Sequence, residues 1–251
     1  MSILELENVT KTFDGVRAVD DASVGFDKGK ITALIGPNGA GKTTIFNLIS
    51  GFLRPDAGTI HYREKDISGL VPWDIAHMGI GRLFQDVRLF DRMVVMDNVL
   101  TAFKKQKGES VLMSVIARWK VIKEEQSLKS QAMRFLEFVG LTEKAEELAE
   151  NLSYGQQKLL SIARLLAADS DVLLLDEPTA GVSPQMIGPI LDVIRKLARE
   201  GKTLVVIEHN MNVVIEIANW VYFMDEGQVV SFGLPNEVLG DPEVRAAYIG
   251  L

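Results

Sequence analysis

The sequence predicts an α/β fold built on a parallel sheet, with antiparallel strands near its N-terminal end and an inserted helical segment. Three observations carry that prediction. Short unbroken apolar runs occur at Ile31–Ile35, Val172–Leu175 and Leu204–Ile207, and such runs suit parallel strands covered on both faces. Leu4 and Leu6 alternate with Glu5 and Glu7, and Ala22, Val24 and Phe26 alternate with polar or small residues, the two-residue period of half-buried antiparallel strands. Between about residues 94 and 150 the apolar spacing is helical throughout.

The elements follow in order. Residues 3–26 are read as antiparallel strands, and Ile31–Ile35 runs into Gly36 and then a helix-like segment from Lys42. In the helical region Met96, Val99, Leu100 and Phe103 share one face, and Leu112, Val115, Ile116 and Trp119 another. A third set, Leu128, Ala132, Phe135, Leu136 and Val139, is stopped by Gly140. Ser153 is placed to cap a helix whose apolar face is Leu159, Ile162, Ala163 and Leu166. Asp241-Pro242 is a helix-start pair, followed by Val244, Ala247 and Tyr248 at helical spacing. The expected organisation is a single domain over residues 1–251, with its core at about 1–87 and 166–235. A helical subdomain is expected at about 88–165, and a C-terminal helical tail at 236–251.

Composition narrows the function classes. The 251 residues carry 34 acidic and 27 basic side chains, a formal charge of −7, which argues against nonspecific nucleic-acid binding. With 47% hydrophobic and 24% charged residues, the chain has the balance of an ordinary globular protein rather than a disordered one. No window reaches the ~18 uninterrupted apolar residues that a membrane span needs, and Glu5 and Glu7 stand where a secretory leader would be apolar. The absence of cysteine excludes disulfides and thiol chemistry. Lys104, Lys105 and Lys107 form a small basic run, read first as a solvated helix face and second as an approach to anionic headgroups. His61 and His77 lack metal-site spacing.

Two motifs carry chemistry by their residue types alone. Gly36-Pro37-Asn38-Gly39-Ala40-Gly41-Lys42-Thr43 matches G-x-x-x-x-G-K-[ST] and continues with Thr44. Its glycines let backbone N–H groups turn inward onto phosphate oxygens, helped by the positive end of the following helix. Lys42, read as an exposed loop lysine, is expected to reach the β- and γ-phosphates, and the Thr43 hydroxyl to ligate Mg²⁺. A turn that binds nothing is the alternative. The pattern arises by chance in roughly one chain in a hundred of this length, but here it follows an apolar strand and opens a helix, the setting a phosphate loop requires. The second motif is the strand Val172–Leu175 ending in Asp176-Glu177-Pro178. Asp176 is placed to hold Mg²⁺, directly or through water, and Glu177 to polarise an attacking water.

Leu152-Ser153-Tyr154-Gly155-Gln156-Gln157 stands about twenty residues before that acidic strand end. With these motifs the chain resembles the ATP-binding-cassette (ABC) ATPases, and the resemblance covers nearly its whole length. The family's fold is a phosphate-loop nucleotide-hydrolase core with an N-terminal antiparallel β-subdomain and an inserted α-helical subdomain. The resemblance implies that Phe13 stacks on adenine, Gln85 senses Mg²⁺ and faces a membrane subunit, and His209 contacts the γ-phosphate. It implies further that Ser153, Gly155 and Gln156 contact ATP held by a partner cassette. Two positions depart from the family pattern: Tyr154 replaces the first Gly of Leu-Ser-Gly-Gly-Gln, and Ser183 stands where an Asp is usual.

Within the family, the segments 152–158, 180–184 and 207–211 and the ending Asp241-Pro242-Glu243 through Tyr248-Ile249-Gly250 resemble ATPase subunits of branched-chain amino-acid importers. The implied cofactors are ATP and Mg²⁺. The implied partners are integral-membrane permease subunits, a second ABC ATPase (identical or homologous) and an extracytoplasmic solute-binding protein. The implied location is the cytoplasmic face of the inner membrane. The stretch from Gln85 through Asn98, with Phe90 and Met93, is the candidate docking surface. Transport of urea or lipopolysaccharide, or a soluble non-transport ABC ATPase, are the alternative readings.

Overall fold

The computed structural model describes residues 2–104 and 118–249. Lys105, Lys107, Leu112, Val115, Ile116, Gly250 and the side chains of Trp119 and Tyr248 lie outside what it describes. The chain divides into two compact units. The first comprises Met1–Gln85, Asp171–Ala180 and Ile194–Leu251, and the second Asp86–Ser170 and Gly181–Val193.

The first unit contains two sheets. Strands β1 (Ser2–Phe13), β2 (Val16–Asp27), β4 (Ala57–Tyr62) and β5 (Lys65–Asp66) form an antiparallel sheet in the order β2-β1-β4-β5. The second sheet has the order β10-β9-β3-β8-β7-β6, built from β3 (Ile31–Ile35), β6 (Ile80–Leu83), β7 (Val172–Asp176), β8 (Thr203–Ile207), β9 (Trp220–Asp225) and β10 (Gln228–Gly233). All its pairs are parallel except β9 with β10.

Strands β3, β7 and β8 are buried at every position. This is why their sequences are apolar without alternation. Leu34 faces a core shared with α1 (Lys42–Ile49) through Ile45, Phe46 and Ile49 and with the antiparallel sheet through Leu4, Leu6 and Phe26. Ala33 and Ile35 face the opposite core, where Val214, Val221, Phe223, Val238 and Val244 pack. Helices α2 (Pro72–Met78), α7 (Met211–Ile217), α8 (Pro235–Val238) and α9 (Pro242–Ile249) complete this unit.

In the second unit α3 (Val95–Leu100), α4 (Arg118–Phe138) and α5 (Tyr154–Ala167) pack on one another. Val95, Val99, Ala132, Leu136, Leu159 and Ile162 are buried. The expectation of helix throughout 94–150 is corrected here. Helix α3 stops at Leu100, where the Thr101 hydroxyl donates to the Asn98 carbonyl at 2.8 Å. Phe103 therefore lies beyond the helix, its ring 6.1 Å from that of Phe135. After α4, Gly140 takes φ 74° and the chain continues through 3₁₀ turns at Thr142–Lys144 and Ala149–Asn151. Helix α6 (Pro184–Arg199) begins in the second unit and ends in the first.

Candidate functional site

Three neighbouring parallel strands, β3, β8 and β7, deliver their carboxyl ends to one place, the position at which open α/β sheets bind ligands. After β3 the loop 36–41 turns into α1. Gly41 has φ 96°, and a Cβ there would stand 2.3 Å from the Ala18 carbonyl oxygen. A Cβ at Gly36 would stand 2.0 Å from that of Met224. The neighbouring strands thus hold the loop so closely that these positions admit only glycine. At Gly39 a Cβ would meet nothing. A cavity of about 170 Å³ opens there, lined by Asn38, Gly39, Ala40, Gly41, Lys42, Thr43 and Thr44 with Glu177, Ile207 and His209.

Lys42 corrects the expectation of an exposed loop lysine. It is 6% exposed, and its ammonium donates to the Gly36 and Pro37 carbonyls at 2.8 Å each. Burial pushes its pKa down, opposed by the charges of Glu177 and Asp176. A lysine folded over the concave side of a glycine loop is a ready partner for phosphate, which offers it oxygens of full negative charge in place of neutral carbonyls.

At the end of β7, Asp176 is buried, and its Oδ2 accepts from Arg82 Nη2 at 3.0 Å. Burial raises the Asp176 pKa, while the Arg82 hydrogen bond and charge lower it. Glu177 follows in the left-handed region at φ 48°. That conformation is strained for a non-glycine residue. Its carboxylate is bracketed: Gln85 Nε2 donates to Oε2 at 2.9 Å, and His209 Nε2 lies 2.9 Å from Oε1. With Glu177 ionised, the second contact places a proton on Nε2. Glu177, Gln85 and His209, predicted from three separate segments, therefore come together.

Two groups that the sequence reading did not assign a role support this cluster. Glu208, 3% exposed, accepts from the Thr179 backbone N–H at 3.1 Å and hydroxyl at 2.7 Å. The pair clamps the loop after β7 to the end of β8 and so sets Glu177 beside His209. Arg82 is the second. The signal for it was an arginine inside the apolar run Ile80–Leu83, a position where a charge requires a partner. Phe13 ends β1 with 42% exposure, and Lys11 Nζ lies 5.6 Å from its ring centroid. The β1–β2 hairpin meets the phosphate loop through the Ala18 backbone.

The second unit holds the remaining predicted residues. Ser153 is the N-cap of α5 in a capping box: its hydroxyl accepts from Gln156 N–H, and Gln156 Oε1 accepts from Ser153 N–H at 2.9 Å. The helix starts at Tyr154, directly after the expected cap Ser153. Gly155 is constrained by packing, since a Cβ would stand 2.9 Å from Met186 Cβ and 3.1 Å from Val182 Cγ1. Tyr154, half-exposed, covers Gly181 and lies 5.2 Å under the Lys158 ammonium. Gly155→Ala is expected to lower stability by about 1–2 kcal/mol, because overpacking outweighs the gain in helix propensity. Thermal melting checks this, and an unchanged or raised midpoint would refute it.

The docking expectation is corrected at one end. Asn98 is fully buried, its side chain accepting from Phe90 N–H and donating to the Phe90, Met93 and Val94 carbonyls. It shapes the loop rather than presenting itself. Phe90 is 49% exposed and lies 5.3 Å from the Arg164 guanidinium.

Residues 19–180 match the ABC transporter family. Over 250 residues the chain is 38% identical to a probable branched-chain amino acid transport ATP-binding protein, LivG, of Archaeoglobus fulgidus, covering 100% of this chain and 96% of that one. It matches the crystal structure of the ADP conformation of an ATP-binding cassette of an ABC transporter with TM-score 0.86 and 36% identity, covering 100% of both chains. It also matches a dimeric bacterial ABC transporter cassette with TM-score 0.77 and 25% identity, over 92% of this chain and 98% of that one. The glycine-bound phosphate loop, the acidic end of β7 and this likeness along the full chain agree, and the chain belongs to the ABC transporter family as a nucleotide-binding ATPase cassette.

Proposed function

We propose that this chain is the ATP-hydrolysing subunit of a transporter that imports branched-chain or related amino acids. The observation that carries the catalytic reading is the Glu177 carboxylate held between Gln85 and His209 beside the phosphate-loop cavity. The loop N–H groups of residues 38–44 and the Lys42 ammonium bind the β- and γ-phosphates, and Phe13 stacks on the base. Glu177 takes a proton from the attacking water as the water oxygen bonds to the γ-phosphorus and the bond from that phosphorus to the β–γ bridging oxygen breaks, so that ADP leaves and inorganic phosphate forms. His209 and Gln85, which contact Glu177, would orient the γ-phosphate and that water.

The available oxygen donors fit Mg²⁺. They are one buried carboxylate (Asp176), the Thr43 hydroxyl and the Gln85 amide oxygen, and no group of three or more His, Asp or Glu forms a protein-only cage among the described residues. Magnesium is usually held by one or two carboxylates together with substrate phosphates and several waters rather than by an all-protein cage. When bound, it neutralises charge on the β- and γ-phosphates.

In this reading the phosphate loop, Gln85, Asp176, Glu177 and His209 all approach the triphosphate from one side, and these motifs contain no arginine to serve the other. We assign that side to Ser153, the Gly155 N–H and the start of α5 of a second cassette, identical or homologous, in a head-to-tail pair. The dimeric relative supports the pairing. The chain acts as one cassette domain in which the helical segment carries this signature. No helix among the described residues is long and apolar enough to cross a membrane, so translocation falls to separate permease subunits. Phe90 and Met93 form the docking surface for them at the cytoplasmic face, and a solute-binding protein completes the system. The names of the relatives support amino acids as the cargo.

Uptake of labelled leucine, isoleucine and valine by cells lacking this chain tests the transport reading. Uptake is expected to fall and to return with the wild-type chain but not with Lys42→Ala. Undiminished uptake of all three would overturn the amino-acid assignment. For the nucleotide itself, Phe13→Ala is expected to weaken ATP binding by about 1–3 kcal/mol, the scale of base–aromatic stacking, with GTP binding nearly as well as ATP. Unchanged affinity by calorimetry would remove Phe13 from the site.

A further inference from the structure

Arg82 stands in β6 with its side chain 7% exposed, beside an Asp176 side chain 9% exposed. Its guanidinium spans three parts of the first unit. Nη2 donates to Asp176 Oδ2 at 3.0 Å, at the end of β7. Nη1 donates to Asn47 Oδ1 at 2.6 Å and Ser50 Oγ at 3.2 Å, both on or just after α1, the helix that the phosphate loop opens. The cation lies 5.5 Å from the ring centroid of Phe46, also on α1, and 4.8 Å from that of Phe84, the residue before Gln85. Phe84 in turn meets Phe52 edge-on at 5.7 Å.

A planar fork with fixed donor directions can hold two elements at one separation, which a flexible ammonium cannot. Without it, the Asp176 carboxylate and α1 would share no polar link through this residue. We propose that Arg82 is a positioning residue for the nucleotide reaction: it fixes the Asp176 carboxylate against the phosphate-loop helix, so that the magnesium ligand and the phosphates it must share are presented at one set distance. The proposal rests on the reading of Asp176 as a magnesium ligand. On this proposal Arg82 acts through Asp176 and α1 and not on the phosphate or the cation directly. Its direct contact with Phe84 extends the same constraint to the residue before Gln85.

The test separates magnesium-dependent from magnesium-independent binding. Equilibrium binding of a non-hydrolysable ATP analogue is measured in excess Mg²⁺ and in EDTA for wild type, Arg82→Lys and Asn47→Ala, with melting temperatures alongside. Arg82→Met would strand a buried carboxylate and endanger folding, so the charge-retaining Lys and the removal of one anchor are used instead. In Arg82→Lys the ratio of Mg²⁺ to EDTA affinity is expected to fall about tenfold, with EDTA affinity within twofold of wild type. The Mg²⁺ concentration for half-maximal hydrolysis should rise in step. Asn47→Ala should move the ratio in the same direction by less.

A merely structural role would weaken both arms together, and that result, or an unchanged ratio in folded Arg82→Lys, overturns the proposal. A higher Mg²⁺ affinity in Arg82→Lys also overturns it, because the guanidinium would then compete with the cation. Failure of the underlying site reading looks different: wild type would not bind the analogue in either arm, or Lys42→Ala would bind it undiminished.

Discussion

Glu177→Gln lowers ATP turnover by a factor of about 10²–10⁴, the range expected when a general base is removed, and leaves ATP bound. The substitution keeps side-chain length and the left-handed backbone at φ 48°, so the loop retains its shape. It also keeps an oxygen able to accept from Gln85 and to hold a water. What it loses is the capacity to take a proton. ATP that binds but does not react should hold two cassettes together. Size-exclusion with light scattering should therefore show more dimer for Glu177→Gln with Mg-ATP than for wild type, with the second ATPase included if the natural pair is mixed. Adding Ser153→Arg should restore monomer, because the new side chain projects from the α5 cap into the partner's nucleotide. Full steady-state hydrolysis by a strictly monomeric sample would refute the composite site, and wild-type turnover in Glu177→Gln would remove Glu177 as the base.

Lys42→Ala is expected to reduce hydrolysis by a factor of about 10²–10³, the typical loss when one preorganised donor to developing charge is removed. Its cost to the fold is small but measurable. Two hydrogen bonds to the Gly36 and Pro37 carbonyls disappear, each with a net contribution of about 0.5–1.5 kcal/mol. Part of that is offset, because a charge whose burial disfavours it is removed as well. A net loss of about 1–2 kcal/mol, a few degrees in melting temperature for a chain of this size, follows. Near-wild-type turnover in a folded Lys42→Ala sample would sink the phosphate-loop assignment. A collapse of the melting transition would show that Lys42 is chiefly a structural brace.

The parallel sheet was legible because burial on both faces removes the ambiguity of alternation. Ile31–Ile35 is β3, and the runs at 172 and 204 are β7 and β8. The phosphate loop and the acidic end of β7 were legible because their chemistry is local: consecutive residues make the motif. What stayed hidden depends on topology. Thr179 and Glu208 are partners because β7 lies beside β8, and Arg82 reaches Asp176 because β6 lies beside β7. Neither pairing leaves a trace in spacing along the chain. Lys42 misled for another reason, since its partners are backbone carbonyls, which every residue carries. In the helical region periodicity alone ran α3 on through Phe103, although the Thr101 hydroxyl turns back onto Asn98. Gly155 carries a packing demand that its motif does not reveal, since Met186 and Val182 leave little room for a side chain there.

The Asn98 amide has a consequence for association. Its bonds to the Phe90, Met93 and Val94 backbone fix a stretch that forms neither helix nor strand. Ordering such a stretch on binding would cost about 0.5–1.5 kcal/mol for each long side chain immobilised, besides the backbone. Here folding has already met the backbone part of that cost, so Phe90 is displayed on a preorganised surface. On the docking proposed above, a partner would meet Phe90 on a loop already ordered by folding, so that association would carry no further cost for ordering that backbone.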